Sequence, residues 1–173
     1  MFALIFGLSF LANAQDAKSN QPKGYQFTDI KRLPATSVKD QARAGTCWSW
    51  SGISFFESEM IRMGKEPIDL SAMYIVRHAY SDKATKFVRL HGSMNFAVGG
   101  AFCDVMHVIK NYGIVPMDVY KGLNYGEPNH AFGEIDDVLA GYVNAVIKNS
   151  NKKLSTAWKK GFDGILDAYL GEE

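Results

Sequence analysis

Within Gln41-Ala42-Arg43-Ala44-Gly45-Thr46-Cys47-Trp48-Ser49-Trp50 stand a thiol and a side-chain amide that could act on the same substrate atom. Cys47 opens a helix-forming stretch, where unpaired backbone N–H groups and the positive end of the helix dipole favour a thiolate. Gln41, six residues earlier across a loop containing Gly45, could fold its amide back to donate to a developing oxyanion beside the Cys47 N–H. A nucleophile and an oxyanion donor meeting at one point are the parts of acyl transfer. The same residues also suit Cys47 as a small buried side chain beneath two tryptophans, the commoner fate of a free cysteine. Spacing alone leaves both readings open.

No other constellation carries chemistry of comparable specificity. The second cysteine, Cys103, forms no Cys-x-x-Cys pair, and two cysteines are too few for a disulfide scaffold. A bridge to Cys47 would remove the nucleophile, so Cys103 is expected as a buried free thiol. A redox role for Cys47 would have only Cys103 as resolving thiol and ranks last. His107 follows Cys103 by four residues on one helix but lacks two further convergent ligands, so no metal and no cofactor is expected. His78 reads as an ordinary helix residue, and His91 and His130 as surface residues of loops.

Helices must position these groups. Cys47 to Met63 carries Trp48, Ile53, Phe55, Phe56, Met60 and Ile61, a pattern broad enough for the longest buried helix, largely surrounded by protein, with Gly64 to stop it. A second helix should start at Asp69-Leu70-Ser71, where Asp69 and Ser71 offer capping oxygens, and run past His78. The segment from about Ser81 to Gly100 reads as irregular. Gly99-Gly100 then opens a third helix, Phe102 to Tyr112, ended by Gly113 with Pro116 beyond. Two more helical patterns cover Glu134 to Lys148 and about Leu154 to Leu170. No long alternating β pattern occurs, so the fold expected is mainly α.

The chain has 173 residues, 47% hydrophobic and 21% charged, which is enough for one globular domain or one lobe of a larger protein. A formal charge of +1 gives no electrostatic footprint for nucleic acid. Residues 1–14, MFALIFGLSFLANA, run apolar and end in a small-x-small Ala12-Asn13-Ala14, the pattern of a secretory signal cleaved before Gln15. The run falls short of the ~20 apolar residues of a membrane span. A secreted or periplasmic location is therefore expected, with residues 15–35 as an extended leader and residues 36–173 as the folded body.

Gln41, Gly45, Cys47 and Trp48 resemble the nucleophile region of the papain-like cysteine peptidases. The resemblance continues in order through Leu70-Ser71, Gly99-Gly100, and Tyr112-Gly113-Ile114 with Tyr120. Ala44, where secreted cathepsins carry a disulfide cysteine, together with the helices beyond Gly133, resembles the bleomycin hydrolase and aminopeptidase C branch. The resemblance implies peptide-bond hydrolysis through an acyl-enzyme on Cys47, with Gln41 at the oxyanion. It also implies Gly99 and Gly100 on the substrate backbone, and Ala101 and Phe102 lining the pocket for the substrate residue second from the scissile bond; core packing is the other reading of Phe102. It implies the helical left lobe of the α+β fold, whose catalytic His and Asn come from a β lobe about 130–150 residues after the Cys. No His and Asn pair occurs near Glu173, so the β lobe is expected to lie outside this chain as a partner of the same protein. An open apolar surface around Trp48, Trp50 and Gly99-Gly100 should mark its place. A non-catalytic, peptide-binding relative remains the alternative.

Overall fold

The computed structural model describes residues 24–173. Residues 24–32 belong to a separate unit and carry no helix or strand; the compact body runs Leu33–Glu173. The predicted signal segment lies outside the described residues. The body is five helices, with no strand among the described residues beyond two isolated bridges, Arg43 with Ala131 and Leu70 with Pro116. The helical fold expected from the sequence is therefore the one observed.

Helix α1, Cys47–Arg62, buries one face through Trp48, Ser49, Gly52, Ile53 and Glu57. Gly52 lets α3, Phe102–Tyr112, approach closely: a Cβ there would stand 2.8 Å from Val105 Cγ2. The opposite face of α1, with Cys47, Ser51, Ser54 and Phe55, is exposed, so α1 is not surrounded by protein as its apolar content suggests. Several of its large side chains, Phe55 and Phe56 among them, are shared with neighbours at the rim instead of filling a core.

The longest and most buried helix is α2, Ala72–Arg89, and not α1. It runs eleven residues beyond His78 where the sequence reads as irregular from Ser81. Tyr80, Ala84, Phe87 and Val88 continue the buried stripe of Met73 and Val76 at helical spacing. The polar residues between them face other partners: Ser81 Oγ donates to Asp163, and Thr85 Oγ1 donates back to the Ser81 carbonyl at 3.1 Å. Ser71 caps α2, accepting from Tyr74 N at 3.0 Å, whereas Asp69 is drawn away to Lys39. The helix ends at Arg89: His91 takes a left-handed backbone conformation (φ 49°), and the N–H of Gly92 then reaches back to the Phe87 carbonyl at 2.9 Å.

Helices α4, Gly133–Ile147, and α5, Ala157–Leu170, form a hairpin against α2. Ile135, Leu139 and Val143 from α4 and Phe162, Leu166 and Leu170 from α5 are fully or almost fully buried. Leu154, expected to open the last helix, is exposed and precedes it. The hairpin is also tied by charge, because Arg77 of α2 donates to Asp167 and Glu173. Tyr80 donates to Asp136 of α4, and burial holds its hydroxyl pKa far above the ordinary tyrosine range.

Candidate active site

Cys47 is the first residue of α1 and is exposed. Thr46, the residue before it, would ordinarily turn its hydroxyl onto the first-turn amides. Here Thr46 Oγ1 accepts from the Trp50 indole at 3.1 Å, and no side chain caps α1. The helix N-terminus beside the thiol is thereby left without a side-chain acceptor, an arrangement suited to receiving an anion.

A cleft of about 430 Å³ opens at this point. Gln41 and Cys47 both line it, together with Trp50, Ser51, Ser54 and the segment 35–39. The two residues singled out by spacing therefore face one space. Gln41 Oε1 is buried without a hydrogen-bond partner among the described residues. The loop carrying Gln41 is tethered from behind, because Arg43 N donates to the His130 carbonyl at 2.9 Å and Phe132 N to the Arg43 carbonyl at 3.2 Å. Ala42 and Gly45 take left-handed backbone conformations (φ 51° and 65°), which turn the chain between Gln41 and Cys47.

The Gly99-Gly100 segment is held beside the same helix end. Trp48 Nε1 donates to the Val98 carbonyl at 3.0 Å. Gly100 lies so close to the Trp48 ring that a Cβ would fall 2.6 Å from its Cδ2 and Cε2. Trp48 is thus buried at 8% exposure, which corrects the expectation that it belongs to an open apolar surface; Trp50 is half-buried, and Gly99 and Gly100 are exposed. Exposed apolar side chains in the surroundings include Val38 on the segment flanking the cleft, and the pair Phe55 and Phe102. Phe102 is 46% exposed and therefore is not core. Its ring stacks on Phe56 with centroids 5.9 Å apart and meets Phe55 edge-on at 5.5 Å. Ala101 is exposed, and its N–H donates to Asp104 Oδ2 at 2.8 Å.

Cys103 is exposed, not the buried thiol expected. On α3 only Val105 and Val108 turn fully inward, and Cys103, two residues before Val105, falls on the outward side of the helix. His78 lies on α2, as expected of a helix residue. It is buried between Tyr74 and Tyr112, with Nε2 3.2 Å from Glu173 Oε1, and burial pushes its pKa down. His130 is half-buried against Trp50 and Phe132, with Nδ1 lacking a partner among the described residues, and burial lowers its pKa too. His107 is exposed and pairs with Asp82 at 3.1 Å, and His91 lies exposed in a turn. None of the four histidines lines the cleft around Cys47.

Sequence reading missed Glu57. Its fully buried carboxylate accepts from Leu70 N at 2.8 Å, from Lys39 Nζ at 2.8 Å and from the Thr36 hydroxyl. It therefore joins the wall of the cleft to α1 and to the approach to α2. Burial works to lower the Lys39 pKa, but the bonds to Asp69 and Glu57 carry it above the usual lysine value. The signal was a carboxylate four residues after buried Ile53, on the inward face of the helix. A larger cavity, about 720 Å³, opens between the start of α2 and residues 116–123; it shares Trp50 with the cleft but holds neither Cys47 nor Gln41.

The sequence model described as "Papain family cysteine protease" matches residues 22–159. The chain belongs to this family. It is also similar to the curated protein "Cathepsin B-like CP2" of Giardia intestinalis, at 28% identity over 92 residues, which cover 47% of this chain and 31% of that protein. The chain thus spans about a third of the length of that relative. Papain-family membership accords with the helical lobe observed, in which one helix begins at the cysteine.

Proposed function

We propose that this papain-family chain contributes the nucleophile half of a thiol peptidase site, and that Cys47 attacks the carbonyl carbon of a peptide bond. Attack forms the S–C bond and a tetrahedral oxyanion. Collapse expels the amine, which must take up a proton, and leaves an acyl-enzyme for water to hydrolyse. The observation that carries the reading is the shared cleft: an exposed cysteine at an uncapped helix N-terminus, with the Gln41 side chain in the same wall. Gln41 donates to the oxyanion alongside backbone N–H groups. Gly99 and Gly100 hold the substrate backbone, and Ala101 and Phe102 border the pocket for the next side chain.

The proton for the leaving amine comes from a histidine oriented by an asparagine, both carried by a β lobe beyond the residues described. Support comes from the cleft, which no histidine of this chain lines. Within the family we assign the chain to the aminopeptidase C and bleomycin hydrolase branch, on Ala44 in the nucleophile loop and on the α4–α5 hairpin after Gly133. Export is part of the same reading, with cleavage after Ala14.

The test is hydrolysis by the intact protein of fluorogenic aminoacyl and N-blocked peptide substrates, with Cys47→Ala and Gln41→Ala alongside. Turnover abolished by Cys47→Ala and lowered about 10²–10³-fold by Gln41→Ala is expected. Preference for unblocked aminoacyl substrates supports the aminopeptidase branch, whereas preference for blocked peptides refutes it. Peptide binding without turnover, unchanged in Cys47→Ala, would establish the non-catalytic alternative.

A further inference from the structure

The segment from Met94 to Gly100 forms no backbone–backbone hydrogen bond among the described residues. Side chains hold it instead, and the bonds fall on three successive carbonyls. Lys83 Nζ, reaching out from α2, donates to the Gly99 carbonyl and, at 3.3 Å, to that of Ala97. Trp48 Nε1 takes the carbonyl between them, Val98. The two side chains also engage each other, because the ammonium stands 5.3 Å from the Trp48 ring centroid and 5.9 Å from that of Tyr80. Beyond Gly99 the pattern stops: neither the N–H nor the carbonyl of Gly100 has a hydrogen-bond partner among the described residues.

We infer that Lys83 is a positioning residue that fixes the Ala97–Gly99 carbonyls inward, so that Gly100 presents a rigid, unpaired backbone edge to an extended peptide next to Cys47. The inference rests on the proposed peptidase site. An unanchored seven-residue loop would have to be ordered by each incoming substrate, at a cost in affinity. Lys83 and Trp48 settle that order in the free protein. Trp48 is covalently next to Cys47, so the same clamp ties the substrate-facing backbone to the helix end that carries the nucleophile. Burial lowers the Lys83 pKa, opposed by Asp104 and Asp136. Its ammonium is thus partly stripped of water, which strengthens its bonds to the carbonyls.

The experiment compares two alkylating agents on the intact protein, with modification at Cys47 read by peptide mass mapping. Iodoacetamide senses only the thiol; a dipeptidyl chloromethyl ketone with a free amino terminus must also bind along the Gly100 edge. Lys83→Met keeps the apolar stem over Trp48 and removes the donors. It is expected to slow the peptidyl reagent about 10-fold, the worth of a charged hydrogen bond, through weaker binding, and to leave iodoacetamide within about twofold. Lys83→Arg, which retains a cation and forked donors, should recover most of the loss. Limited proteolysis within residues 94–100 should quicken in Lys83→Met and return to the wild-type rate in Lys83→Arg. If Lys83→Met does not fold, Lys83→Gln, which keeps a neutral donor, is measured in its place with the same expectation of direction.

Equal rates for the peptidyl reagent in wild type and variant would overturn the inference. So would a parallel fall with both reagents, since Lys83 would then support the thiol or the fold at large. If iodoacetamide leaves Cys47 of the wild type unmodified while labelling Cys103, the nucleophile reading itself fails and this inference falls with it.

Discussion

Gly100→Ala is the sharpest perturbation of the packing that joins the Gly segment to α1. The new Cβ would lie 2.6 Å from Trp48 Cδ2 and Cε2 and 2.9 Å from Cζ2. Ordinary carbon contacts are about 3.5–4.0 Å, so the loop and the ring must separate by about 1 Å. Trp48 has little freedom to yield, because its Nε1 donates to Val98 and Lys83 lies over its face. Overpacking of this kind costs about 1–3 kcal/mol, and loosening the Trp48–Val98 bond adds about 0.5–1.5 kcal/mol. At about 2–4 °C per kcal/mol for a chain of this size, the melting temperature should fall by about 3–18 °C. Gly99→Ala is the control: nothing lies within 4 Å of its Cβ position and its φ is not left-handed, so its melting temperature should stay within about 2 °C of wild type. Thermal unfolding followed by circular dichroism on both variants decides it. A Gly100→Ala protein melting with wild type, or a Gly99→Ala protein losing as much, would refute the argument that Trp48 is a fixed wall.

Four other outcomes are expected. Iodoacetamide should modify Cys47 before Cys103 in a timed mass-spectrometric series; because both thiols are exposed, equal rates would remove the case for a special environment at α1. Glu57→Gln retains shape but unbalances the Lys39 ion pair and the bond from Leu70 N, and urea unfolding should show a loss of about 1.5–3 kcal/mol. Burial lowers the pKa of His130 in the fold, so the unfolded chain takes up its proton first as pH drops. Stability from this residue is complete above about pH 6.5 and is lost below it; His130→Gln should flatten the fall in urea midpoint between pH 7.5 and 5.5, and an unchanged slope would count against the burial argument. The mature protein, sequenced from its N-terminus after export, should begin at Gln15, and retention of Met1 would contradict the signal assignment.

The start of α1 at Cys47 and the whole of α3 were legible in the sequence because local chemistry decides them. Gly99-Gly100 before Phe102, and Gly113 with Pro116 after Tyr112, are punctuation that no packing needs to supply. That Gln41 and Cys47 line one cleft has a similar local origin, since Ala42 and Gly45, two of the five residues between them, take left-handed backbone conformations that turn the chain. The second half of α2 was not. Ser81-Asp82-Lys83 and Thr85-Lys86 look like loop until α3, α5 and the 94–100 segment supply partners for their outward groups, while Tyr80, Ala84 and Phe87 bury inward. Nor could sequence assign the two cysteines their exposure, since free cysteines are usually buried and only the narrow inward stripe of α3 leaves Cys103 outside. Glu57, Lys83 and the Arg43–Ala131 bridge belong to tertiary structure alone. Each joins segments 13 to 88 residues apart. Periodicity can say which face of a helix a charge occupies, but the group that neutralises it is fixed only when distant chain segments are brought within hydrogen-bond reach.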